Sequence, residues 1–228
     1  RRRGWRARRW GRIAVVVALV SSERVELVNR MVLGGARAVL QKPLRAEELQ
    51  QTLSTLLGWR EAQSAEPEEQ PLNGRVIAVL GARGGVGRTT LAVNLAISLQ
   101  SEDTPVVLVD GDLQFGDVAI FMNEQGKFSA VDLASRLNEL EPEFVDSMLI
   151  KHAPSGIRVL AAPFRPEYAE NVDGEQFGRI ITYLRHMYAY VVIDTASALT
   201  EITLSAIDGS DLVVLLTTQE IPAIKNAR

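Results

Sequence analysis

The chain has 228 residues, of which 46% are apolar and 23% are charged, and its net charge is −3. Its length suits one large or two small domains, and this apolar fraction is sufficient for a packed core. The absence of cysteine excludes disulfides and thiolate metal sites, and no apolar run reaches the roughly 20 residues that span a bilayer. We therefore expect a globular, cytoplasmic protein.

Seven of the arginines lie within residues 1–12, where there is no acidic side chain, so the rest of the chain is acidic in balance. An arginine cluster of this kind can bind nucleic acid or an acidic lipid surface. We favour instead a disordered arm at residues 1–12. We expect no nucleic-acid partner, and membrane association only through other proteins.

Residues 13–59 alternate between strand and helix patterns, which indicates a small α/β unit. The run at 13–20 is continuously apolar and rich in β-branched side chains, as in a buried strand, and a second short strand is predicted at 38–40. Residues 23–33 and 47–57 carry apolar side chains at helical spacing and predict two helices.

A stretch rich in glutamate and proline, residues 60–74, predicts a solvated linker to a second unit, residues 75–228. In this unit, near-continuous Val, Ile and Leu strands alternate with helices, which is typical of a mostly parallel, doubly wound sheet covered on both faces. The predicted strands are 76–80, 106–109, 157–161, 190–193 and 212–216, and the predicted helices are 89–99, 129–137, 143–150 and 176–186.

Residues 81–90, Gly-Ala-Arg-Gly-Gly-Val-Gly-Arg-Thr-Thr, join a predicted strand to a predicted helix. Glycines let the backbone turn tightly and approach a ligand, and a helix N-terminus adds partial positive charge, so this context predicts a phosphate-binding loop. The loop departs from the usual pattern G-x-x-x-x-G-K-[ST], because Ala82 replaces its first glycine and Arg88 replaces its lysine. A tight turn without a ligand is the alternative.

Three aspartates lie within three residues of the ends of predicted strands of this unit: Asp110, Asp112 and Asp194. Ligands of an open α/β sheet lie at the carboxyl ends of its strands, so these carboxylates and the phosphate loop are predicted to meet at one edge. Mg²⁺ prefers oxygen ligands, and Thr89 and Asp194 are placed to hold it. Asp112 is placed to orient an attacking water, whereas Asp110 either binds Mg²⁺-bound water or only braces its loop.

These motifs resemble those of the MinD/ParA ATPases. Residues 81–90 resemble the deviant Walker A pattern K-G-G-x-G-K-[ST], residues 110–112 the Asp-rich switch, and residues 191–195 the Walker B strand. The resemblance implies a P-loop NTPase fold that uses ATP and Mg²⁺. It implies nucleotide contacts from Gly84, Gly85, Val86, Gly87, Arg88, Thr89 and Thr90, metal binding by Thr89, Asp194 and Asp110, and catalytic roles for Asp112, Arg88 and Arg83.

The stretch Asp-Gly-Asp-Leu-Gln-Phe-Gly-Asp-Val-Ala at 110–119 is similar to the CpaE/TadZ branch of this family, as are residues 159–163 and 190–194. Members of this branch act in Flp-pilus assembly and polar localisation and carry a receiver-like domain before the ATPase domain. The resemblance therefore implies protein partners of a pilus or polar machinery, and a cytoplasmic protein at the pole or the membrane periphery.

Residues 13–59 resemble the C-terminal half of a receiver domain, through Gly35-Ala36, Val39-Leu40 and Lys42-Pro43. By this resemblance, Lys42 matches the lysine that contacts the phosphoryl group, and Ser21 matches the hydroxyl of the preceding strand. The phosphoacceptor aspartate of the family comes earlier, and no residue before Ile13 supplies it. We therefore predict that this segment is not a phosphorylation switch.

The resemblance also implies an ATP-dependent homodimer that recruits other proteins. Arg83 stands where the family has a lysine that reaches the phosphates of the second subunit, and Arg88 stands where it has the phosphate-loop lysine. Because a guanidinium is bulkier than an ammonium, we expect nucleotide binding with slow Mg²⁺-dependent hydrolysis. The alternatives are a pseudo-ATPase scaffold and a MinD/ParA-like division-site or segregation ATPase. Family domains continue past the position of Arg228, so the adenine contacts and a C-terminal helix are expected beyond it.

Overall fold

The computed structural model describes residues 16–20, 36–41, 43, 45, 47–52, 55, 73–81 and 83–217. The strands are β1 Val16–Val20, β2 Ala36–Gln41, β3 Arg75–Gly81, β4 Val106–Gly111, β5 Ile150–Lys151, β6 Arg158–Leu160, β7 Tyr190–Thr195 and β8 Leu212–Leu216. The helices are α1 Arg88–Leu99, α2 Val118–Phe121, α3 Ala130–Ala134, α4 Pro142–Met148, α5 Gly174–Met187 and α6 Glu201–Asp208, and a 3₁₀ helix spans Pro166–Asn171. Residues 47–52 are also helical.

The described strands form one sheet in the order β2-β1-β8-β3-β7-β4-β6-β5. Neighbouring strands are parallel, apart from the short antiparallel pair of β5 and β6. The predicted α/β class with a mostly parallel, doubly wound sheet is therefore confirmed. Because β3, β7 and β4 are adjacent, the segments that follow these three strands emerge side by side at one edge of the sheet.

Both faces of the sheet are covered, since successive residues of a strand point to opposite sides. Ile77 of β3 and Leu108 of β4 belong to one buried cluster together with Leu95 of α1. Val107, the residue before Leu108 in β4, belongs to the opposite cluster together with Phe177 of α5. Burial on both sides explains why the central strands are almost entirely apolar in sequence.

Two predicted helices are shorter in the structure. The helix predicted at 143–150 ends at Met148, because Ile150 pairs with Val159 as part of β5. The helix predicted at 129–137 spans only α3, and its start is capped as expected, since Asp132 Oδ2 accepts the backbone N–H of Ser129 at 2.7 Å. The elements α2, α6, β5 and the 3₁₀ helix were not predicted.

Several predictions concern residues that the structure does not describe: the arm at 1–12, the helix at 23–33, Ser21, Lys42, Ala82 and most of the linker at 60–74. In the described part, β1 joins the sheet next to β8, with Val16 opposite Val213. The division into a receiver-like unit and an ATPase unit stays a prediction. Within the described residues, no helix is long and apolar enough to cross a membrane.

Candidate functional site

The loop between β3 and α1 turns on two glycines in the left-handed backbone region. Gly85 has a φ of 76°, and Gly87, which is the N-cap of α1, has a φ of 92°. Other residues rarely adopt such angles, so the turn needs glycine at both positions. Val86, between them, is buried and packs on Gly81 at the end of β3, so closely that a Cβ added to Gly81 would lie 2.8 Å from Val86 Cγ2. This contact anchors the loop against the strand.

The other predicted site residues lie at the surface of this loop or in the first turn of α1. Arg83, Gly84 and Thr90 are exposed, and a Cβ on Gly84 would meet no described heavy atom within 4 Å beyond its chain neighbours. Arg88 and Thr89 begin α1. The first N–H groups of a helix have no partner within it, so this end presents donors and partial positive charge to an anion.

Asp194 connects the end of β7 to the start of α1. It is 2% exposed, and Thr89 Oγ1 donates a hydrogen bond to its Oδ2 at 2.6 Å. The next residue, Thr195, donates its hydroxyl to the backbone carbonyl of Val79 in β3 at 2.9 Å. Both strands are thus tied together beside the phosphate loop. Sequence reasoning gave Thr195 no role, although a hydroxyl directly after the aspartate was a usable signal.

The Arg88 side chain lies between two of the predicted site carboxylates. Its Nε donates to Asp194 Oδ1 at 3.2 Å, and its Nη2 lies 3.6 Å from Asp112 Oδ2. Its Nη1 is buried and has no hydrogen-bond partner among the residues that the structure describes. Burial raises the pKa of Asp194, and the bond from Thr89 and the charge of Arg88 oppose that rise. The guanidinium therefore neutralises the buried carboxylate.

Asp110 is 1% exposed and lies beside Asp194, its partner in the register of β4 and β7. Its Oδ1 accepts the backbone N–H of Asp112 at 3.2 Å, and its Oδ2 accepts that of Val118 at 3.1 Å. Gly116 lies against the same carboxyl, so that a Cβ there would collide with both oxygens. Desolvation raises the pKa of Asp110 to about 8, against the opposing bond from Val118.

Asp112 is carried by the loop that Asp110 holds. Its Oδ1 accepts the backbone N–H of Phe115 at 3.2 Å, and its side chain is 17% exposed. Of the two roles left open for Asp110, this geometry favours bracing of the loop, because both of its oxygens already accept bonds from that loop. Sequence reasoning missed Gly116, whose signal was its place in the stretch at 110–119.

The predicted site residues that the structure brings together are Arg88, Thr89, Asp112 and Asp194. Among the described residues, no group of three or more His, Asp or Glu side chains is arranged to hold a metal ion alone. Mg²⁺ is commonly held by one or two carboxylates together with substrate phosphates, so the Thr89 hydroxyl and the Asp194 carboxylate fit Mg²⁺ that arrives with a nucleotide. The unpaired Nη1 of Arg88 fits the same ligand, because a guanidinium donates readily to phosphate oxygens.

Comparison with known proteins points to the same part of the chain. A family model described as an AAA domain matches residues 74–226. The septum site-determining protein MinD of Synechocystis sp. is 26% identical over 155 residues, which are 67% of this chain and 56% of that protein. The chain spans about half the length of the curated relatives it matches.

Solved structures with a similar fold include a ParA family ATPase from Chlorobium tepidum, with a TM-score of 0.63 at 24% identity over 67% of this chain and 64% of that chain. The septum site-determining protein MinD from Pyrococcus horikoshii, complexed with Mg-ADP, has a TM-score of 0.58 at 21% identity over 67% and 61% of the two chains. At these identities, the likeness concerns the fold alone.

Proposed function

We propose that this chain, which belongs to the AAA domain family and has the fold of the MinD/ParA-type P-loop ATPases, binds ATP with Mg²⁺ at residues 81–90 and hydrolyses it slowly. The observation that carries the proposal is the bond from Thr89 to Asp194, because it joins the phosphate loop to the adjacent strand where Arg88 also approaches Asp112. The MinD protein from Pyrococcus horikoshii is complexed with Mg-ADP, which supports the same class of ligand here.

Each residue has a role that follows from its position. The N-terminal N–H groups of α1 and the guanidinium of Arg88 bind phosphate oxygens. Asp112 orients the attacking water, since its carboxylate is partly exposed and is held by the N–H of Phe115. Thr89 and Asp194 would hold Mg²⁺, which when bound neutralises charge on the phosphates. Catalysis here depends on positioning and charge rather than on a covalent intermediate.

Isothermal titration calorimetry on the full chain tests this site. We expect MgATP to bind and EDTA to remove most of the heat. Thr89→Ala should weaken MgATP binding roughly tenfold or more, because it removes the hydroxyl that orients Asp194. Ser98→Ala is the matched control, since Ser98 lies on the same helix and donates only to the Asn94 carbonyl, at 2.7 Å. Equal affinities for Thr89→Ala and the unaltered chain would contradict the assignment.

Within this family, we propose the CpaE/TadZ type, in which the ATP state controls homodimerisation and partner recruitment in pilus assembly or polar localisation. The support is the stretch at 110–119, whose Gly116 and Val118 pack on and bond to Asp110. The relative named as a septum site-determining protein supports the alternative of a division-site or segregation ATPase. Neighbouring genes distinguish the two, because pilus genes favour the first and division or partition genes the second.

A pseudo-ATPase scaffold is the second candidate, because Arg88 is paired with Asp194 where the family has a lysine. Such a scaffold would bind nucleotide weakly and release no phosphate. Phosphate release from MgATP, measured against Asp112→Ala as the blank, separates the two. Release above the blank supports the ATPase, and release equal to the blank supports the scaffold.

A further inference from the structure

We propose that Arg88 and the metal ion compete for the Asp194 carboxylate, so that the site accepts Mg²⁺ only when nucleotide phosphates have drawn the guanidinium away. This inference rests on the proposed function and concerns how that site is regulated. It makes the arginine in the lysine position a device that controls the order of binding.

The carboxylate that would hold the metal ion, Asp194, already has a cation beside it. Arg88 Nε bonds to one oxygen of Asp194, Thr89 Oγ1 bonds to the other, and Arg88 Nη2 faces Asp112. Asp194 is 2% exposed and the Arg88 side chain only 13%, so the pair is poorly screened by solvent. Two cations close to one buried carboxylate repel each other strongly. A metal ion therefore binds here only if the guanidinium leaves.

The guanidinium is nevertheless poorly satisfied where it lies. Its Nη1 is buried without a hydrogen-bond partner among the described residues, and an unsatisfied buried donor is costly. A phosphate at the start of α1 offers two parallel, charge-assisted bonds that the carboxylates do not supply. Movement of Arg88 to the phosphate would leave Asp194 buried without a counterion. Mg²⁺ would then take the place of the guanidinium beside this carboxylate. Phosphate binding and metal binding are thereby coupled.

The competition is tested without nucleotide, by titrating Mn²⁺ into the full chain and following the free-ion signal by electron paramagnetic resonance. The unaltered chain should bind Mn²⁺ weakly. Arg88→Ala should bind it at least about tenfold more tightly, because the carboxylates lose their competing cation. Arg88→Lys should have an intermediate Mn²⁺ affinity, since an ammonium lacks the several nitrogens with which the guanidinium approaches both Asp194 and Asp112. Arg179→Ala, which removes an exposed arginine on α5, should match the unaltered chain.

Two further measurements keep the outcome decisive. Asp194→Asn in the Arg88→Lys background should abolish the gain in Mn²⁺ affinity, which locates the ion. Circular dichroism shows whether each variant folds. If Arg88→Ala does not fold, the Mn²⁺ affinity of Arg88→Lys is the test. If neither folded Arg88 variant binds Mn²⁺ more tightly than the unaltered chain, the proposal is overturned. Failure of ATP binding would overturn the proposed function while leaving this Mn²⁺ result intact.

Discussion

The carboxyl of Asp110 is kept largely protonated at neutral pH, because burial beside Asp194 raises its pKa to about 8. The backbone N–H bonds that it accepts from Asp112 and Val118 favour the ionised form, but the cost of burying a charge outweighs them. Asp112 and Asp194, by contrast, both lie within 4 Å of the Arg88 guanidinium. Asp110 and Asp194 are both buried, but Arg88 and Thr89 bond to Asp194 whereas backbone N–H groups bond to Asp110, so their partners separate their roles.

Asp110→Asn should change how stability depends on pH. The pKa of Asp110 is raised in the folded chain from its ordinary value of 3.8 to about 8, so the folded state holds this proton more tightly than the unfolded state. Its contribution to stability is complete below the unfolded pKa and is lost as pH rises through about 8. Thermal unfolding in EDTA should therefore show the Tm of the unaltered chain falling relative to that of Asp110→Asn as the pH rises from 3.8 to about 8. Parallel Tm profiles would contradict a buried, neutral carboxyl.

At the scale of elements, the segment between β4 and α2 is wrapped around a single side chain. Asp110, the penultimate residue of β4, accepts the N–H of Val118, the first residue of α2. Gly116 allows the close approach, since any side chain there would meet the carboxyl. Because Asp110 bonds to the N–H groups of both Asp112 and Val118, it fixes the position of Asp112 in the segment between β4 and α2.

Gly116→Ala should destabilise the chain by about 1–3 kcal/mol, because the added methyl group forces the segment away from the Asp110 carboxyl. It should lower ATP hydrolysis more than ATP binding, since it displaces Asp112 and leaves the phosphate loop in place. Urea unfolding gives the first quantity, and steady-state kinetics with calorimetry the second. Gly84→Ala is the control for stability, because a Cβ there meets no neighbour and its φ is not positive. Equal urea midpoints for the two variants would argue against the packing described.

At the scale of the whole molecule, apolar side chains stand exposed at the edge of the sheet that carries the phosphate loop. Phe115, Phe164 and Leu199 are 74%, 100% and 72% exposed, and each lies four residues beyond the end of a strand: β4, β6 and β7 respectively. These strands are adjacent in the sheet. Large exposed apolar side chains next to a binding site are typical of surfaces that contact another protein. This edge supports the proposed homodimer.

The proposed dimer should depend on the γ-phosphate and on Arg83, which is exposed in the phosphate loop. A guanidinium there can donate to phosphate oxygens bound by a second subunit. Asp112→Ala should keep ATP bound, because it removes the residue proposed to orient the attacking water. Analytical ultracentrifugation in this background should show dimers with MgATP and fewer with MgADP. A coupling of about 1–3 kcal/mol is typical and would be visible at micromolar protein.

Arg83→Ala should abolish this dependence on ATP, whereas Arg179→Ala on the exposed face of α5 should not. If Arg83→Ala dimerises as strongly with MgATP as its parent, the proposed contact between Arg83 and the phosphates of the second subunit is contradicted. A monomer under every nucleotide condition would remove the switch altogether.

Sequence alone determined the features that rest on local geometry. The glycines at 85 and 87 predicted a tightly turning loop, and the structure has positive φ at both. The apolar runs predicted the central strands within a few residues, because burial on both faces leaves a strand little choice of side chain. The motifs also indicated which residues would meet at one edge, since parallel strands direct their ends the same way.

Tertiary structure decided everything that depends on residues distant in the sequence. Arg88 and Asp194 are 106 positions apart, and only the adjacency of β3 and β7 pairs them. The raised pKa of Asp110 follows from burial by several elements, and its bonds to the N–H groups of Asp112 and Val118 depend on how the segment after β4 folds back. α6 packs on α5, since Ile202 and Phe177 belong to one buried cluster, and no local pattern specifies that pairing. Local sequence carries no record of which distant surface will cover a residue.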